Sequence, residues 1–115
     1  MKSECFLSVI IPAFNEAARL NKTLPLLREF LRQSDFTWEV VLADDGSEDG
    51  TSKIPQNIFT ENEFRVVRHE INRGKGYTVR QGVQVARGEF CLVTDADFST
   101  PITEFNKLKT FLDQG

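Results

Sequence analysis

Hydrophobic positions along the chain follow two alternating periods. Short apolar, β-branched runs occur at residues 6–11, 38–43, 64–68 and 89–94, each of strand length. The first is apolar nearly throughout, the pattern of a strand buried on both faces. Between these runs, apolar residues return every three or four positions. Over residues 16–33, Ala17, Leu20, Leu24, Leu27 and Leu31 form one stripe, with Asn15 as the expected N-cap and Pro25 expected to kink or split the helix. Residues 51–59 predict a shorter helix weakened by Pro55. Residues 75–87 place Tyr77, Val79, Val83 and Ala86 in helical register, closed by Gly88. Residues 101–113 begin on Pro101 and carry Ile102, Phe105, Leu108 and Leu112.

The resulting β-α-β-α-β-α-β-α order predicts an α/β, Rossmann-like domain over residues 1–115, with a mostly parallel sheet and helices on both faces. Such folds bind ligands at the carboxyl ends of their strands. Four unusual segments fall on that edge: Pro12-Ala13-Phe14-Asn15-Glu16, Asp44 through Thr51, Asn72-Arg73-Gly74-Lys75-Gly76, and Asp95-Ala96-Asp97. The opposite-edge connections are ordinary polar turns.

Composition narrows the picture. The 115 residues are 40% hydrophobic and 27% charged, ordinary globular usage that excludes a disordered tail or a disulfide-dense mini-protein. The net charge of −3 gives no global basic field for nucleic acid. No apolar run approaches the roughly 20 residues of a membrane helix, and the N-terminus makes a poor signal peptide. Cys5 and Cys91 read as two reduced core thiols; a disulfide would require their strands to be neighbours. Charge is nevertheless segregated. Residues 39–50 carry five acids and no base, and residues 65–87 carry six Lys/Arg against one acid.

Each loop has a plain reading beside a chemical one. Asp44-Asp45-Gly46-Ser47 suits a turn and helix cap, and its carboxylates also suit a base N–H or a ribose hydroxyl. Asp95 and Asp97 suit helix capping, or one hard cation such as Mg²⁺ or Mn²⁺ bridging a diphosphate. Gly74-Lys75-Gly76 matches neither the G-x-G-x-x-G nor the Walker pattern. A helix N-terminus with Lys75 and Arg73 is still a sensible anion site. Arg80 and Arg87 suit a solvated helix face, and His69 reads as structural. Together the loops suggest a nucleoside diphosphate with a metal. A more distant alternative is a signalling domain whose Asp44, Asp45 and Asp95 form a phosphorylation pocket.

The four motifs, in this order and spacing across residues 9–101, resemble the family 2 glycosyltransferases of the GT-A fold. Arg19-Leu20, Val79-Arg80-Gln81-Gly82, Ala86-Arg87-Gly88-Glu89 and Asp95 through Pro101 are most similar to the dolichyl-phosphate β-glucosyltransferase branch, which uses UDP-glucose. The GDP-mannose-using branch is the alternative. The resemblance implies that Pro12, Ala13, Asn15 and Glu16 line a nucleoside pocket and that Asp45 meets the base, with Asp44 before it in the same nucleotide-sugar-binding set. It places Gly74 and Lys75 at the donor's edge, with Arg73, Lys75 and Arg80 helping to neutralise the leaving diphosphate. Asp95, Ala96 and Asp97 match the Asp-x-Asp motif, with Asp97 the metal ligand and Asp95 nearer the ribose or sugar. It further implies inverting transfer to a polyprenyl phosphate or a glycan. A polyprenyl phosphate is already an anion and needs no strong general base, and no convincing base stands in this chain.

Family members are about twice this length by the same resemblance. The chain therefore reads as an N-terminal donor-binding part, active or inert alone. Membrane association would come only through downstream segments, at the cytosolic face of a membrane. An exposed sheet edge would favour self-association.

Overall fold

The computed structural model describes residues 5–96. The expected helix over 101–113 and Asp97 lie outside them. Strands β1 (Leu7–Ala13), β2 (Trp38–Asp44), β3 (Phe64–Arg68) and β4 (Phe90–Val93) form one parallel sheet in the order β3-β2-β1-β4. Helices α1 (Ala17–Arg32) and α2 (Lys75–Val85) connect β1 to β2 and β3 to β4. The α/β class and parallel sheet expected from the alternation are therefore present.

Residue parity on β1 sorts the two layers. Leu7, Val9, Ile11 and Ala13 cluster with Leu20, Leu24, Leu27 and Leu31 of α1 and with Val40 and Leu42. Ile10 and its neighbours Val41 and Ala43 face α2. Every residue of β1 is buried, as its unbroken apolar run predicts. The two helices take opposite faces because the chain moves outward from β1 to β2 and β3, then returns past them to β4. Right-handed crossovers in opposite directions put their helices on opposite sides. Gly82 makes the second contact close: a Cβ there would stand 2.6 Å from Ile10 Cγ2.

Several local expectations change. Pro25 does not split α1, which runs unbroken around it; four fully or nearly buried leucines outweigh one missing N–H. The N-cap position is Glu16, not Asn15. Asn15 instead adopts φ +53°, a left-handed conformation that Asn tolerates. Residues 51–59 form two 3₁₀ turns, Thr51–Lys53 and Pro55–Asn57, because Pro55 has no N–H to extend the first and starts the second. Gly88 does not cap α2; the cap is Ala86 in extended conformation. Gly88 is needed where the chain crosses β1, since a Cβ would lie 2.6 Å from the Ser8 nitrogen. Neither Cys5 nor Cys91 forms a disulfide, and neither is the core thiol expected: Cys5 is half-buried just before β1, and Cys91 is exposed because β4 is an edge strand of the described sheet.

Glu39 organises that opposite edge. Its Oε2 accepts the Ser8 hydroxyl at 2.6 Å and the Arg87 N–H at 2.6 Å, while Ser8 Oγ accepts the Gly88 N–H at 2.8 Å. This buried carboxylate fixes where β4 begins and hence where its carboxyl end delivers Asp95.

Candidate functional site

The strand order reverses between β1 and β4, and a crevice opens outside their carboxyl ends, the place where open α/β sheets bind ligands. A cavity of about 370 Å³ occupies it. All four loops contribute: Pro12, Ala13, Phe14 and Glu16 after β1, Asp45 after β2, Asn72, Gly74 and Lys75 after β3, and Asp95 and Ala96 after β4. Arg19 of α1 and Thr78 of α2 complete the wall. An apolar wall with a few convergent charges is the usual composition of a small-molecule site.

The first loop is shaped by the second. A helix leaves its first N–H groups unsatisfied, and here the caps come from across the sheet edge. Ser47 Oγ accepts the Asn15 N–H at 2.7 Å, Thr51 Oγ1 the Glu16 N–H at 2.9 Å, and Asp49 Oδ2 the Ala17 N–H at 3.1 Å. Asn15 Oδ1 returns the bond by accepting the Glu48 N–H at 2.9 Å. Burial would raise the Asp49 pKa, but hydrogen bonds from Thr51 and from the Ala17 and Thr51 N–H groups outweigh it and hold it below the usual carboxylate range. Ser47, Asp49 and Thr51 thus set the chain that carries Pro12 to Glu16.

Asp44 and Asp45 do different work. Asp44 is fully buried, accepts the Ser47 N–H at 2.9 Å and pairs with Arg68 at 2.8 Å. It does not line the cavity. Asp45 does, and it grips the third loop: Oδ1 accepts the Arg73 N–H at 2.7 Å and Oδ2 the Gly74 N–H at 3.0 Å. His69 Nε2 lies 2.6 Å from the same Oδ1. Burial alone would raise the Asp45 pKa; these bonds, with Thr78, lower it. Gly46, at φ +81°, lets the third loop lie directly over the second, since a Cβ there would stand 3.1 Å from the Glu70 oxygen.

The fourth loop meets the third through charge. Lys75 Nζ stands 2.8 Å from Asp95 Oδ1, both groups largely exposed. Thr23 Oγ1 of α1 bonds the Ala96 oxygen at 2.8 Å and steadies the turn after β4.

Of the residues expected at the site, Pro12, Ala13, Glu16, Asp45, Gly74, Lys75, Asp95 and Ala96 meet around one cavity. Asn15 and Asp44 are instead braces behind it, and Arg80 sits on the exposed face of α2, away from the lining. Phe14, Arg19, Asn72 and Thr78 also line the cavity; Phe14 and Asn72 stand in loops expected on this edge, whereas Arg19 and Thr78 carry no expected site role. Thr78 was visible only as a helical residue one turn after Lys75. Nothing near His69 in sequence points to its contact with Asp45, a pairing that depends on the parallel register of β2 and β3.

Residues 8–115 match the family model described as Glycosyl transferase family 2. The chain belongs to this family. It is 35% identical to a dolichyl-phosphate beta-glucosyltransferase of Dictyostelium discoideum, over 93% of this chain and 35% of that protein. It therefore spans about a third of the length of that curated relative, which is longer than the twofold length expected from the resemblance. Among solved structures, S. aureus TarS in complex with UDP-GlcNAc superposes with a TM-score of 0.73 at 27% identity, covering 95% of this chain and 31% of that one. The mannosyltransferase PcManGT from Pyrobaculum calidifontis, in complex with GDP-Man and Mn²⁺, superposes with a TM-score of 0.69 at 26% identity, over 95% and 32%. The sheet and helices of the family 2 chain thus have the GT-A glycosyltransferase fold.

Proposed function

We propose that this family 2 chain is the donor-binding part of a hexosyltransferase that moves glucose from UDP-glucose to a dolichyl or related polyprenyl phosphate. The observation that carries the reading is the convergence of all four loops on one cavity at the β1/β4 switch point. The likeness to a dolichyl-phosphate beta-glucosyltransferase supports the glucosyl group and the acceptor, and the likeness to TarS in complex with UDP-GlcNAc supports a UDP-linked donor.

In this reading the apolar wall of Pro12, Ala13 and Phe14 receives the nucleoside, and Asp45 accepts from the base or ribose. Gly74 and Lys75, at the start of α2, take the diphosphate, favoured by the helix N-terminus. Asp95 reaches the sugar or ribose and contributes to a divalent cation, with Asp97, outside the described residues, as the other ligand. Carboxylate oxygens are the hard donors that Mg²⁺ and Mn²⁺ prefer, and Asp95 faces the cavity. No cluster of three His, Cys, Asp or Glu side chains that could hold a metal occurs among the described residues; a Mg²⁺ or Mn²⁺ held by Asp95 and Asp97 would take diphosphate oxygens and water as its other ligands. Such a cation supplies Lewis acidity at the leaving diphosphate. The sugar C1–O bond to the diphosphate breaks as a C1–O bond to the acceptor phosphate forms, with inversion, and UDP leaves.

A thermal-shift panel of nucleotide sugars tests the donor. UDP-glucose should stabilise the chain most; a larger shift with GDP-mannose would transfer the reading to that donor, the one seen with PcManGT. Calorimetry with UDP should show Mn²⁺-dependent binding weakened by Asp97→Ala. Metal-independent binding that ignores this substitution would sink the cation assignment.

A further inference from the structure

We infer that His69 is a positioning residue for the donor site, its Nε2–H fixing the Asp45 carboxylate so that the Arg73-Gly74-Lys75 loop is held in its binding geometry. The inference deepens the donor-site reading and rests on it for the identity of the ligand.

His69 follows β3 directly and lies beside the turn after β2, where Asp45 begins. Its ring is mostly buried, with Nε2 2.6 Å from Asp45 Oδ1 and Tyr77 packed against it edge to face at 5.2 Å. Nδ1 is buried and has no hydrogen-bond partner among the described residues. An ionised carboxylate only accepts. The proton between the two groups therefore belongs to His69 Nε2.

This bond fixes the rotation of the carboxylate. Oδ1, held by His69, also takes the Arg73 N–H, which leaves Oδ2 for the Gly74 N–H. Thr78 closes the arrangement from one turn further along α2, its hydroxyl bonding the Gly74 oxygen at 2.8 Å while lying 3.4 Å from His69 Nε2. The start of α2 is thereby tied to Asp45 through two backbone N–H groups, and the next residue is Lys75. Without His69, Asp45 can rotate about its terminal torsion, and the loop loses the acceptor geometry that holds it. A leucine at 69 would fill the space against Tyr77 and offer no donor. A glutamine can place an N–H near the Nε2 position.

Three measurements on the 115-residue chain test the inference. Ring ¹⁵N spectra of the free chain should show His69 protonated on Nε2; a proton on Nδ1 with Nε2 bare would overturn it. Amide exchange at Arg73 and Gly74 should accelerate in His69→Leu and return towards wild type in His69→Gln. Unchanged exchange in the leucine variant would overturn the proposal, as would a glutamine variant no better than leucine. If His69→Leu does not fold, the glutamine variant and the wild-type tautomer still decide. Calorimetry should show UDP binding about tenfold weaker in His69→Leu, the size expected from losing a bond to a charged group, with a smaller deficit for uridine, which lacks the diphosphate. Equal deficits for both ligands would count against action through the loop. A wild-type chain that binds no UDP would defeat the donor reading, whereas the tautomer and amide results would still decide the brace.

Discussion

Lys75 Nζ lies 2.8 Å from Asp95 Oδ1 and joins the third loop to the fourth across the cavity. Both partners are exposed, so the pair is weak and readily exchanged. Under the donor-site reading the lysine must turn to the diphosphate when Asp95 turns to the cation. Lys75→Ala should therefore bind Mn²⁺ alone as well as or a few-fold better than wild type, while binding UDP with Mn²⁺ several-fold more weakly. Calorimetric titration of each ligand separates the two effects. Parallel losses for both would contradict the exchange.

Asp45 and Asp49 both have pKa values lowered by the bonds they accept. A carboxylate more acidic in the folded chain contributes stability above its unfolded pKa, about 3.9 for Asp, and loses it as pH falls through the lower folded value. Melting temperature should thus be flat near neutrality and fall below about pH 4. Asp45→Asn should be less stable at pH 7, and its deficit should shrink towards pH 3. A deficit independent of pH would show that the charge is not what Arg73 and Gly74 bind.

Thr51 has no exposed surface, and its hydroxyl accepts the Glu16 N–H at the start of α1. Thr51→Ala should cost about 0.5–2 kcal/mol, the range for losing a helix-capping side chain. The loop that carries Pro12 to Glu16 should loosen with it. Urea denaturation measures the first effect and amide exchange at Glu16 the second.

Gly82 decides between two opposing terms. Alanine would gain about 1 kcal/mol in helix propensity. Its Cβ would meet Ile10 Cγ2 at 2.6 Å, and overpacking of this kind costs about 1–3 kcal/mol. Ile10 is β-branched and fully buried, so it cannot easily turn aside. Gly82→Ala should be net destabilising in urea, and a stabilised variant would show that α2 moves outward freely.

The hydrophobic pattern alone determined the α/β class, the four strands and the edge on which ligand-binding loops collect, because strand and helix periods are local properties of the chain. The sequence of the loops, through the family it resembles, also named eight residues that line one cavity. It could not tell which members of Asp44 through Thr51 face a ligand and which brace the backbone. Ser47, Asp49 and Thr51 act on N–H groups more than 30 positions away in sequence, a relation that exists only once β1 and β2 lie side by side. The helix expected over residues 51–59 failed because Pro55 interrupts the hydrogen-bond series. The break expected at Pro25 failed because buried leucines hold α1 to the sheet. His69 looked isolated among its sequence neighbours. Parallel pairing of β2 with β3 sets Asp44 opposite Arg68, so the next residue of each strand, Asp45 and His69, can meet. Only tertiary structure decides such a contact, since a side chain's partner depends on which strand folds beside it.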